Sequence, residues 1–254
     1  MQQCLRRQQL HRGASRERGL ADSSPRSGAL ATDLTATQIE VTLEQVECDT
    51  LAGLDIVITQ LDRILYALRY AVAELTESVM SAYDVLTASR LKLHRHVVSL
   101  IGDTGLPVTD LRLVAALLNV IPCVARMGEQ CVIMAQLAQH PARPVRGNGP
   151  AYEAIQRMGA MTRAQVVRAK RVFAARDACL ADDLLREDAD LKRLGRTVFE
   201  SALAARKAHP PANWGTLAML TSRCLEHVGD EAVEIGEQGY LIVGDAFREI
   251  AYSS

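Results

Sequence analysis

The 254-residue chain is poor in aromatic residues and carries almost no net charge. Aromatic residues make up 4% of the sequence, whereas alanine and leucine are abundant. Because strands are enriched in aromatic and β-branched residues, this composition disfavours a β-fold and predicts an all-helical protein. Lysine and arginine together number 29 against 30 acidic residues, so no overall positive field exists to attract nucleic acid. We expect no nucleic acid partner.

Long apolar runs are also missing from the sequence. No stretch of about eighteen uninterrupted apolar residues occurs, so we expect no insertion into a membrane. The most apolar segment, Leu111 to Leu118, is short and contains Arg112. Residues 1–36 are rich in arginine and serine and lack the apolar centre of a signal peptide. We interpret them as a disordered tail, or as residues upstream of the native start.

None of the six cysteines forms a Cys-x-x-Cys pair, and their spacing fits neither a zinc site nor a disulfide framework. We therefore interpret them as reduced, buried thiols and predict a cytoplasmic protein. The cysteines lie at positions 4, 48, 123, 131, 179 and 224.

Motifs of enzymes are absent as well. A di-iron carboxylate enzyme built on a helical bundle needs Glu-x-x-His on two helices. The residues three positions before His94, His96, His140 and His227 are Leu91, Leu93, Leu137 and Cys224. The sequence contains no Gly-x-Ser-x-Gly turn, no P-loop and no Rossmann glycine pattern. We predict that the protein is not an enzyme.

What the chain does contain is an internal repeat. The segment Arg126-Met-Gly-Glu129 returns as His227-Val-Gly-Asp230, 101 residues later, within two similar apolar stretches. Aligned on the shared glycine, Cys123 corresponds to Cys224. A repeat of this length indicates two copies of one structural unit.

Helical periodicity divides each copy into three helices. In the first copy we predict a hairpin turn near residues 77–81 and a third helix capped by Thr109 or Asp110. Residues 141–150 form a linker, because proline and glycine recur there and cannot continue a helix. The predicted fold is two tandem antiparallel three-helix bundles, at residues 37–140 and 151–254. The last helix is predicted to end near Arg248.

The repeated segments resemble the PhoU family of phosphate-transport regulators. The last helix is similar to the family signature L-E-R-I-G-D-x-A-x-x-I-A-E. In the family this signature is followed by a tyrosine and then by Gly-Asp or Gly-Glu. Residues 107–112, PVTDLR, resemble the start of the family's third helix, and the resemblance covers residues 38–248. The residues that fit the signature are Glu226, Gly229, Asp230, Ala232, Ile235, Glu237, Tyr240, Gly244 and Asp245.

This resemblance implies a fold and a function. It implies two three-helix bundles related by a pseudo-twofold axis, and a cytoplasmic adaptor that restrains phosphate uptake and the associated two-component signalling. The implied partners are the sensor histidine kinase and the ATPase subunit of the phosphate ABC transporter, and a homodimer is compatible with them. The alternative that the sequence leaves open is a metal-free helical scaffold of another signalling system.

The resemblance also implies metal binding on acidic helix faces. Glu226 and Asp230 are one helical turn apart, and Asp188 adds a carboxylate from the preceding helix. We expect a divalent or iron ion there in the second bundle, although Lys192 stands near a position where a second acid is usual. A solvated surface pair is the alternative.

The first bundle departs from this pattern. Ala125 replaces the leading acid, so that Glu129 alone remains, and Ser89 is taken as the counterpart of Asp188. One carboxylate beside several basic residues is a poor site for a hard cation. We therefore expect the metal, if it is bound, in the second bundle only.

Overall fold

The computed structural model describes residues 29–70, 75–102, 105–140, 149–176, 179–208 and 213–243. Within these ranges the chain forms six helices and no strand. They are α1 (Ala29–Tyr70), α2 (Leu75–Gly102), α3 (Val108–Gln139), α4 (Pro150–Ala175), α5 (Cys179–Ala208) and α6 (Asn213–Val243). The predicted all-helical fold, with two tandem three-helix bundles, is confirmed.

Some predicted helix boundaries were wrong. Helix α1 begins at Ala29 rather than at residue 37, since a helix extends easily through alanine and leucine once it is nucleated. Residues 77–81, where the hairpin turn was predicted, lie within α2, which begins at Leu75, because the apolar period continues across them. The predicted tail up to residue 28 and the predicted helix beyond Val243 lie outside the described residues.

The start of α3 was also misplaced. Pro107, rather than Thr109 or Asp110, is the N-cap residue, and no side chain caps the helix. The Pro107 carbonyl accepts hydrogen bonds from the backbone N–H groups of Asp110 and Leu111, both at 3.0 Å. Proline already has the φ angle of a helix start, so the helix begins directly after it.

The six helices share one apolar core. Helices α1, α2 and α3 pack together, as do α4, α5 and α6, and the two groups meet through α3 against α6 and α1 against α4. Buried side chains from all six helices form one contiguous cluster. Its largest fully buried members include Leu61, Leu117, Met158, Phe173 and Leu225.

Helix α3 is long and apolar enough to cross a membrane by length and composition alone. Its position offers another reason for that composition. It contacts α1, α2 and α6 at once, and buried residues occur along it from Leu113 to Ala138. A helix covered on several sides needs apolar residues around most of its circumference.

The two repeat glycines have the same packing role. A Cβ atom at Gly128 would lie 2.7 Å from Leu86 Cδ1, and one at Gly229 would lie 2.6 Å from Leu191 Cδ2. Each glycine therefore lets a leucine of the outer helix, α2 or α5, lie directly against the inner helix, α3 or α6. The repeated glycine sets the distance between these helices.

Candidate functional site

The predicted acidic residues lie between α5 and α6, but a lysine joins two of them. Asp188 and Lys192 are one turn apart on α5, and Asp230 faces them from α6. The Lys192 ammonium lies 2.7 Å from Asp188 Oδ2 and 3.1 Å from Asp230 Oδ1. One cation therefore bridges a carboxylate of its own helix and a carboxylate of the neighbouring helix.

Glu226 is held separately. Arg223, three residues earlier on α6, lies with its Nη1 3.0 Å from Glu226 Oε2. The Glu226 side chain is 15% exposed, and a Cβ atom at Gly195 would lie only 1.8 Å from Glu226 Oε1. The carboxylate thus lies against the backbone of α5, which the absence of a side chain at Gly195 permits.

Burial is the largest single influence on the pKa of Lys192, but the two carboxylates together, through hydrogen bonds and charge, outweigh it. Burial lowers the pKa of its ammonium, whereas the hydrogen bonds to Asp188 and Asp230 raise it, and the net pKa lies above the ordinary value. Lys192 is therefore a charged partner of both carboxylates at neutral pH.

Two further polar groups near Gly229 are buried without a protein partner. Asp188 Oδ1 and both amide atoms of Gln165 have no hydrogen-bond partner in the structure. A Cβ atom at Gly229 would lie 3.0 Å from Gln165 Oε1 and 3.8 Å from Asp188 Oδ1, so both oxygens lie close to the glycine. Sequence reasoning did not identify Gln165, because its importance depends on how α4 faces α6.

The side chains as they lie do not form a ligand set for a metal ion. Among the described residues, no group of three or more histidine, cysteine, aspartate or glutamate side chains could hold one. Lys192 occupies the space between Asp188 and Asp230, and Arg223 binds Glu226. Metal binding by Glu226, Asp230 and Asp188 stays a prediction, and these residues, as arranged here, do not fit the ion.

The corresponding region of the first bundle contains still fewer acids. Gly128 faces Tyr83 and Leu86, where Gly229 faces Asp188 and Leu191. These contacts make Tyr83 the counterpart of Asp188, so the assignment of Ser89 was wrong. Ser89 lies 99 residues before Asp188, whereas the packed leucines Leu86 and Leu191 are 105 residues apart, so the sequence comparison used the wrong offset for the outer helices.

A small cavity lies beside Ala125, the residue at the position of Glu226. Its lining includes Gly53, Leu86, Ser89, Arg90, Leu93 and Ala125. Glu129 is exposed on α3. Asp49 is also part of the lining, so the cavity combines one acid and one arginine with polar and apolar side chains.

An ion pair joins the inner helices of the two bundles. Arg126 of the repeat motif approaches Glu231 with two nitrogens, at 2.5 Å and 2.6 Å from the two carboxylate oxygens. Two turns away along the same contact, Asn119 donates a hydrogen bond to Gln238 at 3.1 Å. The sequence did not predict these contacts, since nothing in the repeat shows which faces of α3 and α6 meet.

Ion pairs also join α1 to α4. They are Asp62–Arg163 at 2.5 Å, Asp55–Lys170, and Glu47–Arg176 at 3.2 Å. In these three pairs every acid lies on α1, and every base lies on α4 or, for Arg176, at its C-cap. The two bundles therefore meet through a charged contact as well as an apolar one.

The cysteines only partly follow the prediction of reduced thiols. Cys48 is disulfide-bonded, which corrects that interpretation for this residue. Cys123, Cys131 and Cys224 are free and buried. Burial raises the pKa of Cys131 to about 12 and that of Cys224 to about 11. Burial, followed by the Glu231 carboxylate, raises the pKa of the Cys123 thiol as well.

The model of the PhoU domain matches the chain twice, over residues 53–138 and 155–239. The first match runs from α1 to α3 and the second from α4 to α6. Each match therefore contains one three-helix bundle. No curated protein sequence matches the chain.

Solved structures show the same architecture. The crystal structure of PhoU from Pseudomonas aeruginosa superposes with a TM-score of 0.75 at 22% identity, covering 80% of this chain and 98% of that one. The phosphate transport system regulatory protein PhoU from Streptococcus pneumoniae superposes with a TM-score of 0.74 at 16% identity, covering 82% and 98%. At these identities the likeness concerns the fold.

Proposed function

The chain belongs to the PhoU family, and from that premise we propose that it regulates phosphate transport as a cytoplasmic, non-enzymatic adaptor. In this role it links the ATPase subunit of the phosphate ABC transporter to the sensor histidine kinase and restrains both when phosphate is plentiful. The family match over both bundles supports the regulatory role. The surfaces of the outer helices support the adaptor role.

The outer face of α2 is apolar and basic. Leu91, Val98 and Ile101 are each about half exposed and lie near one another along the helix, with spacings of seven and three residues. Exposed basic residues lie among them, and no acid occurs from Val85 to Gly102. Exposed apolar side chains gathered on one face mark interaction surfaces, and the basic residues favour an acidic partner.

The outer face of α5 has a different character. Phe199 and Leu203 are exposed one turn apart. Further towards the start of the helix, exposed Arg193 pairs with Asp190 at 2.5 Å. This face is apolar with both signs of charge, so the two bundles present surfaces suited to two different partners.

A pull-down with the full chain tests the adaptor role. We expect wild type to retain both the ATPase subunit and the cytoplasmic part of the kinase. Leu91→Ser/Val98→Ser should lose one partner and Phe199→Ser/Leu203→Ser the other. Tyr70→Ser removes a similarly exposed apolar residue from α1 and should retain both.

Two results would contradict the proposed function. Wild type that binds neither protein contradicts the adaptor proposal and favours a scaffold of another signalling system. In cells, deletion of the gene should raise phosphate uptake in phosphate-rich medium, and an unchanged uptake contradicts the regulatory role.

A further inference from the structure

The carboxylates that face each other between α5 and α6 already have a cation between them. Lys192 Nζ lies 2.7 Å from Asp188 Oδ2, the distance of a charge-assisted hydrogen bond, and 3.1 Å from Asp230 Oδ1, within ordinary hydrogen-bond range. A hard divalent ion bound to the same oxygens would lie about 2.0–2.6 Å from each. The ammonium and the ion therefore compete for one place.

We propose that Lys192 takes the place of a metal ion in the second bundle, so that its ammonium joins α5 to α6 and the protein works without bound metal. The cation is part of the chain, so its presence does not depend on metal supply. The inference goes beyond the regulatory role proposed above and does not depend on which partners the protein has.

The neighbouring charges agree with this assignment. Asp188 is 8% exposed, and a carboxylate buried to that extent needs a partner of opposite charge. Lys192 reaches it from one turn away on the same helix, while Arg223 supplies a separate cation to Glu226. Three carboxylates against two cations leave one formal negative charge, and the affinity for a divalent ion falls with the charge of its ligands.

The first bundle gives an independent observation. Around Gly128, Tyr83 stands where Asp188 stands in the second bundle, and Ala125 stands at the position of Glu226. Neither residue is a ligand of the carboxylate kind. Of the three acids, the first bundle thus keeps only Glu129, and the second has its acids bound to basic side chains.

If the ammonium occupies the place of an ion, removing it should create a metal site. Lys192→Glu replaces the cation with a carboxylate one turn from Asp188. Asp230 and Glu226 then face it from α6, and Asp188 Oδ1, buried without a partner, becomes available as a ligand. Carboxylates from two helices match the oxygen ligands of a hard divalent ion.

The test measures bound metal on the full chain, purified without an affinity tag, stripped with EDTA and equilibrated with Mn²⁺. For wild type we expect less than about a tenth of an equivalent, and for Lys192→Glu about one equivalent together with a higher Tm in the presence of Mn²⁺. Asp188→Asn in the Lys192→Glu background should abolish the gain. Arg193→Glu makes the same charge change at the next, exposed position and should gain nothing.

Two outcomes overturn the proposal. One is wild type that keeps about half an equivalent of metal or more and loses it in Glu226→Ala/Asp230→Ala. The other is a folded Lys192→Glu protein that binds no more metal than Arg193→Glu. If Lys192→Glu lacks the helical circular dichroism of wild type, Lys192→Gln is used, and binding equal to wild type by the folded glutamine variant overturns the proposal as well.

Discussion

Arg126 and Glu231 form a two-point ion pair between the inner helices of the two bundles, with N–O distances of 2.5 Å and 2.6 Å. The two partners are buried to different extents. The Arg126 side chain is 52% exposed, whereas that of Glu231 is 17% exposed. If Glu231 is removed, water can therefore solvate Arg126. If Arg126 is removed, water reaches Glu231 much less readily.

This asymmetry predicts unequal effects of the two single substitutions. Arg126→Ala leaves a largely buried carboxylate unpaired and should lower the free energy of unfolding by about 2 kcal/mol. Glu231→Ala leaves an exposed arginine and should lower it by about 1 kcal/mol. Urea unfolding of both variants and of the double variant measures the difference, and equal losses would contradict the explanation by burial.

The repeat glycines should differ in their tolerance of alanine. Alanine at either position overpacks the contact with the outer helix, at a cost of about 1–3 kcal/mol, which better helix propensity offsets by about 1 kcal/mol. A Cβ atom at Gly229 also meets the fully buried Gln165, only 3.0 Å away. The second contact of a Cβ atom at Gly128 is longer, 3.3 Å to Tyr83 Cδ2. We expect Gly229→Ala to lower Tm more than Gly128→Ala. The reverse order would contradict the packing described here.

Salt should weaken the contact between α1 and α4. The Asp55–Lys170 and Asp62–Arg163 pairs are partly exposed, so each contributes about 0.2–1 kcal/mol and is screened by added salt. The free energy of unfolding should therefore fall between 0.05 M and 0.5 M NaCl, concentrations chosen to span about 14 Å to 4 Å in screening length. Asp55→Asn/Asp62→Asn should show a smaller fall. Asp190→Asn, which breaks a single exposed pair within α5, serves as the control and should show a larger fall than Asp55→Asn/Asp62→Asn.

Two buried thiols predict a dependence of stability on alkaline pH. Burial raises the pKa of Cys224 from 9.0 to about 11 and that of Cys131 from 9.0 to about 12. In this range the folded state binds more protons than the unfolded state, so stability is fully present below pH 9 and falls as the pH rises through the folded pKa values. The Cys131→Ala/Cys224→Ala variant should lose less stability between pH 8.5 and 10.5, about the start of this window. A loss equal to that of wild type would contradict it.

The sequence predicted the fold well because repetition and apolar periodicity are properties of the chain itself. The glycine common to Arg126–Glu129 and His227–Asp230 located the inner helices. The hairpin turn was placed less accurately, at residues 77–81, which lie within α2. The apolar period continues across these residues, so it does not show where one helix ends and the next begins.

The acidic site was predicted only in part. The spacing of Glu226 and Asp230 placed both on one face of a helix, but spacing within α6 cannot show what α5 brings against that face. The bridge by Lys192 depends on how α5 and α6 are aligned along their axes. The identification of Tyr83, and not Ser89, as the counterpart of Asp188 depends on the same kind of alignment. Such relations arise from packing between distant segments.

The arrangement of the six helices also bears on how the two copies can change. Helices α3 and α6 lie against each other at the centre, so a substitution in one must suit the other. Helices α2 and α5 lie outside this pair, and each can acquire new residues without disturbing its counterpart. Tyr83 and Asp188 occupy corresponding places on these two helices and share no chemistry. A duplicated gene that keeps its two inner helices alike can thus give its two outer helices separate functions.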